Sequence, residues 1–454
     1  MKIFDLIVIG SGAGLNVAAG AAEKGLKVAF IEDGPLGGTC LNRGCVPSKI
    51  VINSAEVAEM IHRAAEFGLS ARLKKVDFKF VTNRANHTVD ADARGIEKNV
   101  CADKNPLLFK GRGKFVDKNT VEINGEKIKG KKIVIAAGAR PSIPPIPGLD
   151  KVPFMTSTEA LRQTVLPKSM IILGGGYIGV ELGFFYAELG TKVTIVQRNK
   201  WLVPREDQEV AALITALWKK KYNLMTNADV TKIEKEGKHI AVTVKAGSTT
   251  QKITAEKLLV ATGVKPNSDT LQLEKAGVKA NKNGFIAVNK FMETNVKNIS
   301  ALGDIAGVYM FRHSANLEAR YVSNNILGKK KAVDYYPMPH AIFTSPQVAG
   351  VGLTEQGAQE QKKSYVVGKE YYKKTAKGVA LAEKDGFVKL IVDKKSKEIL
   401  GCHIIGPEAS VLLHEVCVAM KAGKKNALDL LRNTVHVHPA LSEVVQRAAL
   451  NVPL

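Results

Sequence analysis

Apolar residues in this chain come in short unbroken runs that close on glycine, and the arrangement repeats. The first run, Asp5 to Ile9, meets Gly10-Ser11-Gly12-Ala13-Gly14, a helix-spaced stretch from Asn16 to about Lys24 follows, and Lys27 to Ile31 ends at Glu32. The order returns as Met170 to Leu173, then Gly174-Gly175-Gly176-Tyr177-Ile178-Gly179, a helix to about Leu189, and Lys192 to Val196. Each copy is followed downstream by an apolar strand closing on a similar turn, KIVIAAGARP around Ala137 and Gly138 and KLLVATGVKP at Gly263. Strand, glycine turn, helix and strand, twice over, predict two α/β nucleotide-binding folds of three layers each.

After Pro337 the texture changes to alternating strand patterns and long helices, with no third glycine turn. Candidate strands are Gln347 to Leu353, Tyr365 to Tyr371, Gly386 to Val392 and Ile399 to Ile405, followed by an amphipathic helix around Val411 to Lys421. This predicts a separate C-terminal α+β domain. The expected division is 1–148 and 267–334 for the first fold, 149–266 for the second, and 335–454 for the last domain.

The glycines have a physical reason. Gly10 and Gly12, like Gly174 and Gly176, let the backbone turn tightly and approach a pyrophosphate, which then sits on the positive end of the following helix. In the first copy Leu15 stands where the third glycine belongs, so helix-to-strand packing there is expected to be looser or shifted, while Gly14 keeps its phosphate contact. Glu32 lies 22 residues after Gly10, the spacing at which an acid accepts hydrogen bonds from adenosine ribose hydroxyls. The second copy has Gln197-Arg198 at that strand end, with Lys200 close by. An acid there would repel a 2′-phosphate and arginine attracts it, so NADPH is predicted over NADH at the second fold, with NADH still possible.

Composition narrows the class. The chain has 454 residues, 45% hydrophobic and 24% charged, as expected of a globular protein of several domains. The most apolar stretch, Met170 to Leu189, is interrupted by five glycines and carries Glu181 and Glu188, which argues against a membrane span. MKIFDLIVIGSGAG reads as a buried strand and not as a secretory leader, so a cytoplasmic location is expected. The formal charge of +23 is spread in small lysine clusters without interleaved aromatics. A solvated basic surface is expected, with non-specific, salt-sensitive adhesion to polyanions but no specific nucleic-acid partner.

Cys40 and Cys45, in GGTCLNRGCVPSK, follow the first fingerprint closely. In a reducing compartment a pair so close in sequence is catalytic or metal-binding sooner than a structural staple. Cys101, Cys402 and Cys417 stand singly and complete no zinc set, so no metal is expected. Thiol–disulfide exchange needs a thiolate attacker and a protonated leaving thiol, hence an imidazole nearby. His438 is the candidate, in HVHP with Glu443 five residues on as its orienter. His436 is expected to be structural.

Together these pieces resemble the flavin-dependent pyridine nucleotide-disulfide oxidoreductases, a group that includes dihydrolipoamide dehydrogenase, glutathione reductase, mercuric reductase and mycothione reductase. GGTCLNRGCVPSK is similar to the family's redox motif, GGGYIGVE to its nicotinamide motif, ALGDIAG to its second flavin motif and HVHPALSEV to its acid–base motif. RHSANLEARYV and AIFTSPQVAGVGLTE look most similar to the mycothione reductase and lipoamide dehydrogenase branches. The resemblance implies FAD on the first fold, with Thr39, Gly113, Ala137, Gly138 and Asp304 among its contacts, NAD(P)H on the second, and a homodimer through the last domain. It implies Cys45 as the flavin-side thiol, Cys40 as the interchange thiol, and His438 reaching the partner's Cys40. It pairs Lys49 with Glu181 beside the flavin and makes Tyr177 a gate over the flavin until the nicotinamide arrives. The NVPL end has no cysteine pair of the kind that the resemblance attaches to mercuric reductase.

Two activities fit these residues: NADPH-driven reduction of a small thiol disulfide, and oxidation of a dihydrolipoyl group with NAD, for which the basic surface would help dock an acidic lipoyl domain. A non-catalytic nucleotide-binding scaffold would require a degenerate site, and none of the six catalytic candidates Cys40, Cys45, Lys49, Glu181, His438 and Glu443 is missing.

Overall fold

A computed structural model describes residues 1–453. Its contacts group the chain into two compact units.

The first unit comprises Met1–Ile50, Thr82–Ser142 and Gly263–Tyr335. At the centre of its sheet, strand Lys2–Ile9 pairs in parallel with Val28–Glu32 on one side and Glu126–Ile135 on the other. Leu107–Lys110 extends the sheet beyond Val28–Glu32, and Ile299–Ala301 adds to Glu126–Ile135, both in parallel. The short strands Thr120–Ile123 and Lys114–Phe115 finish it as an antiparallel edge. The unbroken apolar runs follow from burial on both faces. Leu6 and Val8 pack with Val17, Ala18, Phe30 and Val322 under helices Gly14–Glu23 and Arg312–Ile326. Ile7 and Ile9, one residue out of phase, pack with Ile31, Phe115 and Ile128 on the opposite side.

The second unit comprises Val51–Val81, Ile143–Thr262 and Tyr336–Leu454. Residues 51–81 lie within the stretch expected to belong to the first fold, and they pack here. The repeat forms a parallel sheet of Lys257–Val260, Ser169–Leu173, Lys192–Gln197 and Asn223–Thr226. A three-stranded antiparallel meander, Ala228–Glu236, His239–Ala246 and Thr249–Ala255, had no counterpart among the expected elements. Gly237 and Gly247, with φ of +58° and +60°, make its two tight turns.

The last sheet runs Pro339–Ile342, Val348–Gly352, Ile399–Ile405, Phe387–Asp393 and Tyr365–Tyr371, antiparallel throughout. Two of its strands have the bounds read from the sequence, Tyr365–Tyr371 and Ile399–Ile405. The expected helix extends over Ala409–Ala422, and two more, Ala427–Asn433 and Ser442–Leu450, share its core of Leu413, Val416, Leu428, Val444 and Ala448. Among the described residues no helix is long and apolar enough to cross a membrane.

Candidate active site

Gly10 has φ of +103°, and a Cβ there would lie 2.3 Å from the carbonyl oxygen of Ala136. Only glycine fits that turn. The helix that follows is packed close through Gly14, whose added Cβ would stand 2.9 Å from Ala136 Cβ and 3.0 Å from Val8. Leu15 turns its side chain into the apolar cluster below. The close approach is thus shifted one residue earlier than in the second copy, where Gly179 touches the carbonyl of Gly174.

Glu32 is buried and holds this loop. Oε2 accepts the Ser11 amide at 2.7 Å and Oε1 the Gly34 amide at 2.8 Å, which leaves a lone pair on each oxygen for a ligand. Opposite in sequence, Asp304 sits in a short turn after strand Ile299–Ala301, and its carboxylate has no hydrogen-bond partner among the described residues. Burial pushes that carboxyl up, against the pull of the Arg312 guanidinium. Buried Glu318 fixes the turn, accepting the Gly303 amide at 2.6 Å on Oε2 and the Tyr335 hydroxyl at 2.9 Å on Oε1. A glycine-rich phosphate turn, an acid with spare lone pairs and a half-buried carboxylate awaiting a donor fit a dinucleotide such as FAD. Ala137 and Gly138 are anchored by Asn267, whose amide Nδ2 donates to the Ala137 carbonyl and whose backbone N–H donates to that of Gly138. Gly113 packs against Ile31 and Val121.

The cysteine segment docks onto the same loop. Gly37 and Gly38 both have positive φ, the Gly37 amide donates to Ser11 Oγ at 3.1 Å, and a Cβ on Gly38 would strike Gly12 Cα at 2.6 Å. Buried Asn42 ties the turn by donating to the carbonyls of Leu36 and Gly38. Exposed Thr39 and then Cys40 ride on the helix Gly38–Arg43, and Cys45 opens the helix Cys45–His62. The two thiols are hydrogen-bonded to each other, and the Cys45 amide also donates to Cys40. That bond, with the Arg312 and Lys49 charges, pushes Cys40 down to about 7 despite burial. Cys45, as the donor, is pushed well up. The pair therefore loses one proton near neutrality and shares the other. Lys49 Nζ donates to Ser48 Oγ at 3.4 Å.

In the second unit Gly174 repeats the turn, with φ of +104° and an added Cβ 2.5 Å from the Ala261 carbonyl oxygen. Gln197 stands in Glu32's role: its Oε1 accepts the Gly175 amide and its Nε2 donates to the Trp201 carbonyl, each at 3.1 Å. Arg198 and Lys200 are exposed. Gly176 and Ile178 flank Tyr177 at the start of helix Tyr177–Glu188, and Gly263 follows strand Lys257–Val260 in a positive-φ turn. Buried Glu181 accepts the Phe343 amide at 3.0 Å. Tyr177 donates its hydroxyl to Glu206, a contact that sequence reasoning missed along with Ser11, Asn42, Asn267 and Arg312.

His438 is exposed. Its Nδ1 lies 3.0 Å from Glu443 Oε1, while Glu443 Oε2 accepts the Ala440 amide at 3.2 Å. The bond to His438, more than any other contact, holds the Glu443 carboxyl below its ordinary range. A carboxylate so placed fixes the ring and leaves Nε2 to exchange protons. His436 is tied to Glu415 and to the Thr434 carbonyl. Among the described residues no group of three or more His, Cys, Asp or Glu could hold a metal ion.

Two glycine-turn nucleotide folds, a close dithiol on the first of them and an antiparallel α+β domain define a dinucleotide-dependent disulfide oxidoreductase. The chain belongs to the pyridine nucleotide-disulphide oxidoreductases: residues 4–319 match that family and residues 338–449 match its dimerisation domain. It is 37% identical over 452 residues to dihydrolipoyl dehydrogenase of Geobacillus stearothermophilus, covering 98% of this chain and 95% of that one. Mercuric reductase of Staphylococcus aureus is 34% identical, with 98% and 82% covered. Among solved structures, the HOCl-induced flavoprotein disulfide reductase RclA from Escherichia coli superposes with a TM-score of 0.88 at 29% identity, covering 99% of this chain and 100% of that one. The protein is a flavin-dependent enzyme of this family, with FAD and NAD(P)H as its cofactors.

Proposed function

We propose that the enzyme reduces a small thiol disulfide with NADPH, using Cys40 and Cys45 as its redox-active pair. The observation that carries this reading is the thiol-to-thiol hydrogen bond that pushes Cys40 down to about 7 beside the first glycine loop. Gly10, Gly12, Gly14, Glu32, Thr39, Gly113, Ala137, Gly138 and Asp304 would hold FAD, which when bound relays an electron pair from the nicotinamide to the sulfurs. Gly174, Gly176, Tyr177, Ile178, Gly179, Gln197, Arg198 and Gly263 would hold the nicotinamide dinucleotide. Neutral Gln197 and cationic Arg198 favour a 2′-phosphate there.

In the reduced pair the Cys40 thiolate attacks one sulfur of the substrate disulfide. The S–S bond breaks, and the leaving sulfur takes a proton from the imidazolium of His438, contributed by the partner subunit and oriented by Glu443. Cys45, giving its proton to the now neutral imidazole, then attacks Cys40 in the mixed disulfide; the bond to the second substrate sulfur breaks, that sulfur takes the proton back and leaves as a thiol, and the Cys40–Cys45 bond closes. Lys49 and Glu181 serve as a cation and its holder near the reduced flavin. The working form is a homodimer in the cytoplasm, with no specific nucleic-acid or membrane partner.

A second reading is dihydrolipoyl oxidation with NAD, favoured by the 37% identity to a dihydrolipoyl dehydrogenase over nearly the whole chain. The test is anaerobic titration of the FAD-loaded protein with NADPH and with NADH, followed by turnover on lipoamide and on low-molecular-weight disulfides. Two newly titratable thiols per chain and the long-wavelength absorbance of a thiolate beside flavin are expected. Cys40→Ser should keep the absorbance and Cys45→Ser should lose it. Lipoamide turnover with NAD and none with NADPH would put the second reading first.

A further inference from the structure

We propose that Glu206 and His340 form a latch on Tyr177 that an incoming nicotinamide dinucleotide must release, so that this pair sets the affinity of the second nucleotide fold. The inference rests on the reading that Tyr177 borders the nicotinamide seat and moves when that seat fills. The side chains of the latch come from three separate stretches of the second unit. Tyr177 is the first residue of the helix whose N-terminus would carry the pyrophosphate. Its hydroxyl donates to Oε1 of Glu206, and its ring lies against His340, nearly parallel at 21°. His340, on strand Pro339–Ile342, meets the other oxygen of the same carboxylate, Nε2 to Oε2 at 2.8 Å.

Glu206 has nowhere to relax. Its side chain is 1% exposed, its backbone N–H donates to Val203 and its carbonyl accepts Gln356 Nε2 at 2.8 Å. His340 is fixed in turn across Gly350, which is its register partner on the next strand. A Cβ on Gly350 would stand 2.7 Å from the His340 ring and 2.9 Å from Nδ1 of His403. His403 is fully buried, with Nε2 on the Leu353 carbonyl and Nδ1 unpartnered among the described residues. Arg205 and Glu181 are the other charges that Tyr177 feels, and Asp207 faces His403. Tyr177 cannot leave this position without stripping a donor from a buried carboxylate, and that cost is subtracted from dinucleotide binding. A lost hydrogen bond to a buried charge corresponds to roughly 10- to 150-fold in affinity.

The test is direct binding. Oxidised, FAD-loaded protein is titrated with NADP+ and with NAD+, following flavin fluorescence, for the wild type, Tyr177→Phe, Glu206→Gln and the double variant. Tyr177→Phe should lower the Kd by roughly 10- to 150-fold, Glu206→Gln should lower it by less, and the double variant should gain nothing beyond Tyr177→Phe. Flavin content and melting temperature, read on the same samples, identify a variant that has misfolded, and the other single variant then decides. Unchanged or weaker binding in a folded variant, or additive gains in the double, would overturn the latch. A wild type that binds neither dinucleotide would instead overturn the functional reading beneath it.

Discussion

The two glycine loops share a backbone and differ in charge. Gly10 and Gly174 have φ of +103° and +104°, and each is closed off by a carbonyl from the neighbouring strand end, Ala136 or Ala261. In each a side chain at the end of the second strand accepts the amide that follows the first glycine, Glu32 from Ser11 and Gln197 from Gly175. Glu32 spends its second oxygen on another amide, whereas Gln197 turns its NH2 to the Trp201 carbonyl. The repeat kept the tight first-glycine turn and varied the position of the close helix approach, Gly14 against Gly179, and the side chain that ends the second strand. A carboxylate suits ribose hydroxyls, and a neutral amide beside an exposed arginine leaves room for a phosphate.

The sharpest way to break the symmetry is to block one loop at a time. Gly10→Val should yield a colourless protein, and Gly174→Val a yellow one that NADPH no longer reduces, a loss of about 100-fold or more in each ligand. Equal flavin content in the two variants would mean that the loops are not divided between two ligands. Next comes the charge itself. Gln197→Glu should raise the NADPH Kd by at least about tenfold and leave that of NADH within about twofold, because a unit charge at short range near a surface costs up to about 4 kcal/mol. The converse substitution, Glu32→Gln, should weaken FAD by roughly fivefold, or about 1 kcal/mol, measured on protein stripped of flavin and re-titrated.

The smallest effect concerns the thiols that ride on the first loop alone. A thiolate reacts and a thiol does not, so alkylation of the reduced protein should slow as pH falls through about 7, the value for Cys40. Arg312→Gln should move that midpoint upward by less than about one unit, since the thiol-to-thiol bond remains. A midpoint near the ordinary thiol range in the wild type would contradict the shared proton.

Elements with a strong local signature were legible in the sequence. Glycine turns bounded by unbroken apolar runs announced both nucleotide folds, and Tyr365–Tyr371 and Ile399–Ile405 appear with the bounds read from alternation. Helices Cys45–His62 and Phe78–Ala102 were not read, because neither lies in the strand, glycine turn, helix and strand repeat that marked the nucleotide folds. The contacts that tune the sites were also hidden. Arg312 lies far in sequence from the thiol it lowers, and although it opens the quoted RHSANLEARYV stretch, nothing there pointed to a cysteine. Glu206 and His340 are 134 residues apart and belong to no motif quoted from the sequence. Lys389 sits within FVKLIVD, where alternation points a lysine at solvent, yet both faces of that strand are covered.

Lys389 has a consequence of its own. It is 1% exposed and ion-paired with Asp207, Glu209 and Glu355. In the last sheet it stands in one cross-strand row with His340, Gly350, His403 and Lys369. The acidic turn that meets this row belongs to the stretch matched by the catalytic family, while the row itself belongs to the stretch matched by the dimerisation domain. Each supplies the other's counter-ions, so the two are not severable modules. A fragment cut between residues 319 and 338 would expose an uncompensated acidic turn, and the remaining piece would leave the Lys389 ammonium with Glu355 alone of its three carboxylates.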